Sequence, residues 1–105
     1  MKPARLRPLA KEDRKSETRY YRQKAGETIA LELILQTGKA LKQIEQEPGM
    51  GSPRLGQLAE VPGLRAWRVT GFPLAWFYFE RVDHLDVVRL LGERQDILRI
   101  LESDQ

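Results

Sequence analysis

The chain has 105 residues, no cysteine, 31% charged residues and a formal net charge of +3. This length allows one domain around one modest hydrophobic core, and we expect it to span residues 1–105. The lack of cysteine excludes disulfide frameworks and thiolate metal sites. No apolar run approaches the ~18 residues of a membrane helix, and no apolar segment follows the basic N-terminus, so we expect a soluble, cytoplasmic protein.

The positive charge is concentrated near the N-terminus. Residues 1–26 carry nine Lys or Arg and three Asp or Glu, a net +6, whereas residues 27–51 carry two and four, a net −2. Residues 52–105 carry seven and eight, a net −1, and every cation after Lys42 is an arginine. The basic segment can contact nucleic acid non-specifically, but arginines in folded domains are mostly solvated or paired, so we expect no specific nucleic-acid partner.

The first half of the chain predicts a short strand and two helices. Apolar and basic residues alternate over 4–7, which is typical of a strand with basic outward positions. Pro8 suits the start of a helix over 9–25 that stops at Gly26. A second helix over 27–47 is strongly amphipathic. Its predicted apolar stripe, with two leucines that extend it sideways, is Ala30, Leu33, Ile34, Thr37, Leu41 and Ile44, then Leu31 and Leu35.

The first predicted helix lacks a regular apolar face. Polar residues occupy the positions where a core-facing stripe should run: Arg14, Glu17 and Thr18. Only Ala10, Tyr20 and Tyr21 remain to pack against the rest of the chain. We therefore expect weak anchoring of this helix. It is either a mobile, solvated hairpin arm, which we favour, or an arm that becomes ordered when a partner chain lies across it.

A loop is expected between the two helices and the second half of the chain. Residues 50–63 are rich in glycine and proline, which disfavours a helix or a central strand. The distinctive segment Gly51-Ser52-Pro53-Arg54 lacks the Gly-Lys-Ser/Thr ending of a P-loop and the Gly-x-Gly-x-x-Gly spacing of a dinucleotide site. A plain connector is therefore favoured over a phosphate site.

The second half predicts an antiparallel three-strand meander followed by a short helix. Strands are expected over 64–70, 72–79 and 85–91, and the aromatic run of the second can fill both faces of a central strand. After Gly92, apolar residues at three- and four-residue intervals favour a helix of about two to three turns. The predicted fold class is α+β: an N-terminal strand, an α-hairpin, the meander and a short C-terminal helix, with a four-stranded, antiparallel-rich sheet.

The element order and a series of residues resemble the ParE branch of the RelE/ParE toxin superfamily over nearly the whole chain. The specific part of the resemblance is Gly63-Leu64-Arg65, Val69, Phe77-Tyr78, Val88-Arg89-Leu90-Leu91, Arg94-Gln95-Asp96-Ile97 and Ile100-Leu101. Less specific matches occur earlier in the chain, at Pro8, Ala10, Asp13, Tyr20, Gly26, Pro48, Gly51 and Pro53-Arg54.

The resemblance implies the toxin of a type II toxin–antitoxin system, with no cofactor or metal. A cognate ParD-like antitoxin would hold it inactive with an extended or helical segment. ParE-type members typically poison DNA gyrase and serve in plasmid stabilisation, whereas RelE-type members cut messenger RNA on the ribosome. Both branches share one scaffold, so the fold does not choose between them. A third alternative is an inert module that binds its antitoxin but poisons nothing.

The chemistry of RNA cleavage helps to choose between the two branches. A metal-free nuclease needs a base, an acid and cations that hold the charged phosphorane. Cations are present, and we expect some of four arginines to converge on the open face of the sheet: Arg65, Arg68, Arg89 and Arg94. An acid and a base are not evident, because Gly71-Phe72-Pro73 lacks the arginine typical of interferases and no tyrosine or histidine follows Leu91. A histidine is usual in the ParE pattern where Gly92 stands. Glu93 and Tyr78 are poor substitutes for the missing acid and base of a nuclease.

Three remaining side chains have a structural interpretation and a functional one. His84, the only histidine, lies near acids in a predicted turn, which favours a solvated turn residue over a general base. Trp67 and Trp76 are expected to pack in the core or on the sheet, and docking of an antitoxin side chain is the alternative.

We therefore predict a non-enzymatic inhibitory toxin with no catalytic residue and no metal. The predicted target is a large protein, with DNA gyrase favoured, contacted by the C-terminal helix and by Arg65, Arg68, Arg89 and Arg94. The predicted contacts with the antitoxin are Trp67, Trp76, Tyr20 and Tyr21. The alternatives that remain are a ribosome-dependent mRNA endonuclease and the inert module.

Overall fold

A four-stranded sheet carries a helical hairpin on one face and two short helices on the other in the computed structural model, which describes residues 1–104. The elements are β1 (Ala4–Leu6), α1 (Pro8–Ala25), α2 (Glu27–Gln46), α3 (Arg54–Leu58), β2 (Leu64–Arg68), β3 (Leu74–Glu80), β4 (Leu85–Gly92) and α4 (Ile97–Ser103). A single 3-10 turn at Pro48–Met50 follows α2. The α+β fold class and the order of elements predicted from the sequence are confirmed.

The sheet has the strand order β1-β4-β3-β2. Strands β2, β3 and β4 form the predicted antiparallel meander, while β1 runs parallel to β4. The register shifts between Phe77 and Tyr78, so that Val88 has no partner of its own on β3. Beyond Val87, where β1 ends its pairing, the outer edge of β4 is covered by α1 rather than by another strand.

The aromatic residues of β3 pack on both faces of the sheet, as the sequence predicts. Trp76 and Tyr78 belong to the cluster under the hairpin, and Phe77 and Phe79 belong to the cluster under α3 and α4. Trp76 is fully buried, and its indole N–H donates to the carbonyl of Thr37 at 3.0 Å. This bond satisfies the polar atom of a buried indole and joins α2 to the sheet.

Four of the six residues in the predicted stripe of α2 are buried, namely Ala30, Leu33, Thr37 and Ile44. Ala40 is buried beside them, so the buried face extends to one side of the stripe. Ile34, which was placed in the stripe, is 40% exposed, and Leu31 and Leu35 are 56% and 50% exposed. The error arose because the apolar residues of α2 cover more of its circumference than one packing partner can bury. An apolar strip on α2 therefore faces outward.

The predicted weak anchoring of α1 is wrong, because polar contacts take the place of an apolar stripe. Glu17 and Thr18 are buried, and Arg14 donates from Nε to the hydroxyl of Thr37 at 2.9 Å. Tyr21 packs edge-on against Phe72, with ring centroids 5.1 Å apart. The favoured interpretation as a solvated arm is therefore not supported, although the predicted packing roles of Ala10 and Tyr21 are correct.

The connector is more regular than the sequence suggested. The expected loop over 50–63 contains helix α3, and Ser52 pairs through its backbone with Ala66 on the outer edge of β2. Gly56, inside α3, approaches the backbone of Leu64 too closely for any side chain. Glycine, which appeared to break a helix here, instead lets α3 pack against β2. Within residues 1–104, no helix has both the length and the apolarity that crossing a bilayer requires.

Asp86 of β4 predicts a pH dependence of stability. It accepts two hydrogen bonds from Arg7, at 2.9 and 2.8 Å, and two from Arg81, at 3.3 and 2.9 Å. The hydrogen bonding to Arg7 is the main cause of its lowered pKa. A carboxylate with a lowered folded-state pKa stabilises the fold above its unfolded-state pKa of about 3.9, and this stability is lost as pH falls through the folded-state value. Both arginines are over 40% exposed, so screening limits the effect to about 1 kcal/mol.

Asp86→Asn should therefore be about 1 kcal/mol less stable than the wild type near neutral pH. The difference should shrink as pH falls from about 5 to about 2, where the wild-type carboxyl becomes protonated. Urea denaturation at several pH values measures it. A difference that stays constant over this range would show that the ionised carboxylate is not the stabilising species.

Candidate functional site

The four arginines predicted to converge lie in three separate places. Arg65 donates to the backbone carbonyls of Gly49 and Gly51, so it holds the turn after α2 to β2. Arg68 is exposed, and among the described residues it has no hydrogen-bond or ion-pair partner. Arg89 and Arg94 both turn toward α1. The structure thus provides no single arginine cluster on the sheet.

Arg89 is at the centre of a nearly buried ion-pair network. Its guanidinium donates to both carboxylate oxygens of Asp13, at 2.7 and 2.9 Å, and to Asp104 at 2.9 Å. The hydrogen bonds from these acids, chiefly that of Asp13, raise the pKa of Arg89. Asp13 also accepts a hydrogen bond from the backbone N–H of Leu90 at 3.0 Å, which gives a partner to a donor on the unpaired edge of β4. Only 13% of the Arg89 side chain is exposed, so its role is to hold α1 against β4 and not to contact a target.

Arg94 is paired but remains accessible. Its guanidinium contacts the buried carboxylate of Glu17 and lies 3.7 Å from the ring centroid of Tyr20. Tyr20 in turn meets Tyr21 edge-on, with centroids 5.3 Å apart. With 45% of its side chain exposed, Arg94 can present one face of the guanidinium to a partner.

The open face of the sheet forms a shallow cavity of about 550 Å³ between α3 and α4. Small residues make its floor, namely Ala66, Ala75 and Gly92 on three neighbouring strands. Its rim carries three charged residues, Arg54, Arg68 and Glu93. Of the four arginines predicted to contact a target, Arg68 alone lines this cavity, and the C-terminal helix, which was also predicted to contact the target, contributes Ile97.

Tyr78 and His84, the residues that a search for proton-transfer groups would select, have other partners. The Tyr78 hydroxyl donates to the carbonyl of Pro48 at 2.7 Å and accepts the N–H of Gly51 at 3.1 Å. Burial raises the pKa of this hydroxyl. His84 lies in the loop between β3 and β4, with Nδ1 2.7 Å from the carboxylate of Asp83. Neither residue lines the open face of the sheet.

Of the four aromatic residues predicted to bind an antitoxin, Trp76 has no exposed surface, so its side chain cannot contact a partner in this conformation. Trp67 is half-buried, and its indole N–H donates to Gln43 Oε1 at 2.8 Å. Tyr20 and Tyr21 are half-buried beside Arg94. Trp67 lies on β2 and the tyrosine pair on α1, and both Trp67 and Tyr21 pack against the buried cluster under the hairpin.

Close packing explains why glycine stands at position 92, where the resemblance stated from the sequence leads to the expectation of a histidine. A Cβ atom at this position would lie 2.6 Å from the carbonyl oxygen of Pro73 and 2.7 Å from a methyl carbon of Leu74. A histidine would therefore require the start of β3 to move. Among residues 1–104, no group of three or more His, Cys, Asp or Glu is placed to hold a metal ion.

A groove that was not predicted from the sequence lies between the two long helices. It has a volume of about 460 Å³ and is lined by Leu6, Lys11, Arg14, Lys15, Thr18, Arg19, Arg22 and Ile34. The signal that could have found it is a row of cations on one face of α1, Lys11, Lys15, Arg19 and Arg22. We call this feature the hairpin groove.

The fold belongs to the α+β class in which a helical hairpin packs on an antiparallel-rich sheet. No protein-family model matches the chain, and no curated protein matches it. Among solved structures, a chain of the chromosomal ParDE TA system from P. aeruginosa matches it with a TM-score of 0.74. The two are 19% identical over 88% of this chain and 96% of the other. The likeness to ParE-like toxins inferred from the sequence is thus confirmed at the level of the fold.

Proposed function

We propose that this chain is the toxin of a ParE-like toxin–antitoxin pair, which inhibits a large protein target and is neutralised by a ParD-like antitoxin. The observation that carries the proposal is the fold shared with a chain of the ParDE system over nearly the full length of both chains. DNA gyrase is the favoured target, on the strength of the resemblance stated from the sequence.

The side chains on the open face favour inhibition by binding over catalysis. Its rim offers two arginines and one glutamate, while the hydroxyl of Tyr78 is committed to backbone partners. Arg68 is our proposed target contact, because it is exposed and none of the described residues pairs with it. Arg94 is the second proposed contact, since nearly half of its side chain is accessible.

A second function is kept because of one observation. Glu93 lines the same cavity as Arg54 and Arg68, so a carboxylate and two guanidinium groups share one open surface. A carboxylate can serve as a general base, and guanidinium groups can stabilise a phosphorane. This arrangement supplies the base and the cations of a metal-free endoribonuclease of the RelE type, while none of the other described residues that line the cavity is a separate acid.

One paired assay separates the two functions. The purified chain is added to a gyrase supercoiling reaction and to a translating extract in which primer extension maps the message. Our proposal predicts inhibited supercoiling and an intact message, with inhibition reduced about tenfold or more by Arg68→Glu. Glu93→Gln should leave this inhibition unchanged.

Message cut in the extract, and no longer cut by Glu93→Gln, would establish the nuclease and overturn our proposal. No effect in either assay would favour the inert module and would equally contradict an active toxin. Lys24→Glu, an exposed change on α1 away from the open face, is the matched charge-reversal control and should behave as the wild type.

A further inference from the structure

The cations of the hairpin groove all come from one side of α1. Four of them follow one another at intervals of three or four residues and so form a row along the helix: Lys11, Lys15, Arg19 and Arg22. Arg14 lies beside this row and also lines the groove. None of the described residues that line the groove is acidic. The groove therefore presents charge of one sign over about 16 Å of helix, from Lys11 to Arg22.

The acids of α1 lie away from the groove. The carboxylates of Asp13 and Glu17 are nearly buried against arginines on β4 and just after it, and neither carboxylate lines the groove. The third acid of this helix, Glu12, forms an exposed ion pair with Arg19, which contributes little because it is solvated and screened. The helix thus separates its charges, with two acids toward the sheet and the cations toward the groove.

Three cations of the groove have no acidic partner within residues 1–104. Lys11 and Lys15 are exposed and make neither an ion pair nor a side-chain hydrogen bond. Arg14 is half-buried, and its guanidinium donates to the hydroxyl of Thr37 at 2.9 Å and to the carbonyl of Ile34 at 3.1 Å. Burial lowers the pKa of Arg14. An anion brought into the groove would therefore compensate a half-buried positive charge.

The rest of the lining indicates which anion the groove suits. None of the described lining residues is aromatic, so the groove offers no platform on which the bases of a single strand could stack. The hydroxyl of Thr18 already donates to the carbonyl of Arg14, which leaves the cations as the donors that face the groove. Phosphate oxygens accept hydrogen bonds and do not donate them, so a straight row of cationic donors matches the regular phosphates of a duplex.

Two other anionic partners fit the lining less well. An acidic protein segment needs an apolar seat as well as cations, and the described lining supplies two aliphatic side chains, Leu6 and Ile34. RNA is distinguished from DNA by contacts to its 2′-hydroxyl groups, and none of the described lining residues carries a carboxylate or an amide that could accept from them. These features favour the backbone of DNA.

We propose that the hairpin groove binds the sugar–phosphate backbone of duplex DNA without reading its sequence. The row from Lys11 to Arg22 would follow the phosphates of one strand, and Arg14 would face the phosphate nearest to it. At about 3.4 Å of rise per nucleotide, the row matches about five phosphates. The groove shares no lining residue with the cavity on the open face of the sheet. The inference therefore goes beyond the proposed function and does not depend on it.

The first test measures binding of the full chain to a labelled duplex of about 20 base pairs by fluorescence anisotropy. We expect the logarithm of the binding constant to fall linearly with the logarithm of the salt concentration, with a slope of about −3 or steeper. The reason is that each cation placed on a phosphate releases a condensed counterion. Two duplexes of equal length and unrelated sequence should bind within about twofold of each other. A single strand and an RNA duplex should each bind at least about threefold more weakly.

Two double variants connect the binding to the groove. Lys11→Gln combined with Lys15→Gln should weaken binding about tenfold or more at about 0.1 M salt and make the slope shallower by about 2. Lys24→Gln combined with Lys39→Gln removes the same charge from exposed positions outside the groove. This matched control should bind within about twofold of the wild type and keep the slope.

A footprint on the unaltered chain gives a second measurement. The lysines are acetylated with and without a saturating duplex, and the modified sites are read by peptide mass spectrometry. We expect the duplex to slow acetylation of Lys11 and Lys15 severalfold and to leave Lys24 and Lys39 unchanged. Because no residue is substituted, a folding defect cannot produce this pattern.

Several results would overturn the inference. Equal weakening by the two double variants, or equal protection of all four lysines, would show that the net charge of the chain holds the DNA and not the groove. No binding, binding that salt does not weaken, and a strong preference for one sequence would each contradict contact with the backbone. Tighter binding of the single strand or of the RNA duplex would also do so. Displacement of the duplex by an equal concentration of a glutamate-rich helical peptide would assign the groove to an acidic protein segment instead.

Discussion

Asp13→Ala is expected to be the most destabilising single change to a polar residue of this chain, at about 3 kcal/mol. The substitution leaves Arg89 nearly buried with only Asp104 as partner, and it leaves the N–H of Leu90 without an acceptor. Loss of one member of a buried ion pair costs more than the pair contributes, because the remaining charge stays desolvated. We place the effect at the lower end of the usual range because Asp104 still pairs with Arg89.

Urea denaturation measures this effect against a neighbouring control. Glu12→Ala removes an acid whose pair with Arg19 is over half exposed on both sides, so it should change stability by no more than about 0.5 kcal/mol. Asp13→Asn keeps an acceptor for Leu90 and should fall between the two. If Asp13→Ala and Glu12→Ala were equally stable, the network could not be what anchors α1 to β4.

Gly51→Ala is expected to destabilise the chain by about 2 kcal/mol through overpacking. A Cβ atom at Gly51 would lie 2.8 Å from the ring carbon Cζ of Tyr78 and closer still to its hydroxyl. The tyrosine could not move away without losing the bonds to Pro48 and Gly51 that satisfy its buried hydroxyl. The turn after α2 and the centre of the sheet therefore depend on the same contact.

Gly49→Ala is the matched control, because a Cβ atom there would meet nothing within 4 Å. Thermal and urea unfolding should show a stability close to that of the wild type for this variant. Tyr78→Phe should partly relieve Gly51→Ala, since it removes the atom nearest to the new methyl group, so the double variant should be more stable than the sum of the two changes. Strictly additive losses would contradict this explanation.

The strands and the two long helices could be predicted because the spacing of apolar residues in each element reflects the way that element packs in the fold. The aromatic run of β3 indicates a strand that is buried on both faces. The alternation of apolar and basic residues in β1 indicates a strand with one face exposed to solvent. These are local signals, and tertiary packing did not override them. The boundaries of α1, α2 and β4 differ from the prediction by one residue each, and those of β2 and β3 by up to two residues.

The anchoring of α1 could not be predicted, because it depends on partners far away in the sequence. Asp13 and Arg89 are 76 residues apart, and Glu17 and Arg94 are 77 apart. A helix with acids on its inner face appears weakly packed until those arginines are known to face it. The same lack of distant information led to the prediction that some of the four arginines Arg65, Arg68, Arg89 and Arg94 converge.

Helix α3 was missed for a different physical reason. Gly56 disfavours a helix in isolation, but its missing side chain allows the backbone of Leu64 to approach, and this packing outweighs the local preference. The hairpin groove was not predicted because its lining comes from separate parts of the sequence. Lys11 of α1 and Ile34 of α2 lie on one surface only after the two helices have packed together.

The central claim is that the chain acts by occupying a macromolecular target and not by turnover. Titration of the purified chain against a fixed amount of gyrase in a supercoiling reaction, with message integrity followed in a translating extract, tests it most directly. The claim predicts that inhibition becomes complete when the chain approaches the concentration of gyrase, while the message stays intact. Unimpaired supercoiling, together with message cut by a small fraction of an equivalent of the chain per ribosome, would contradict it.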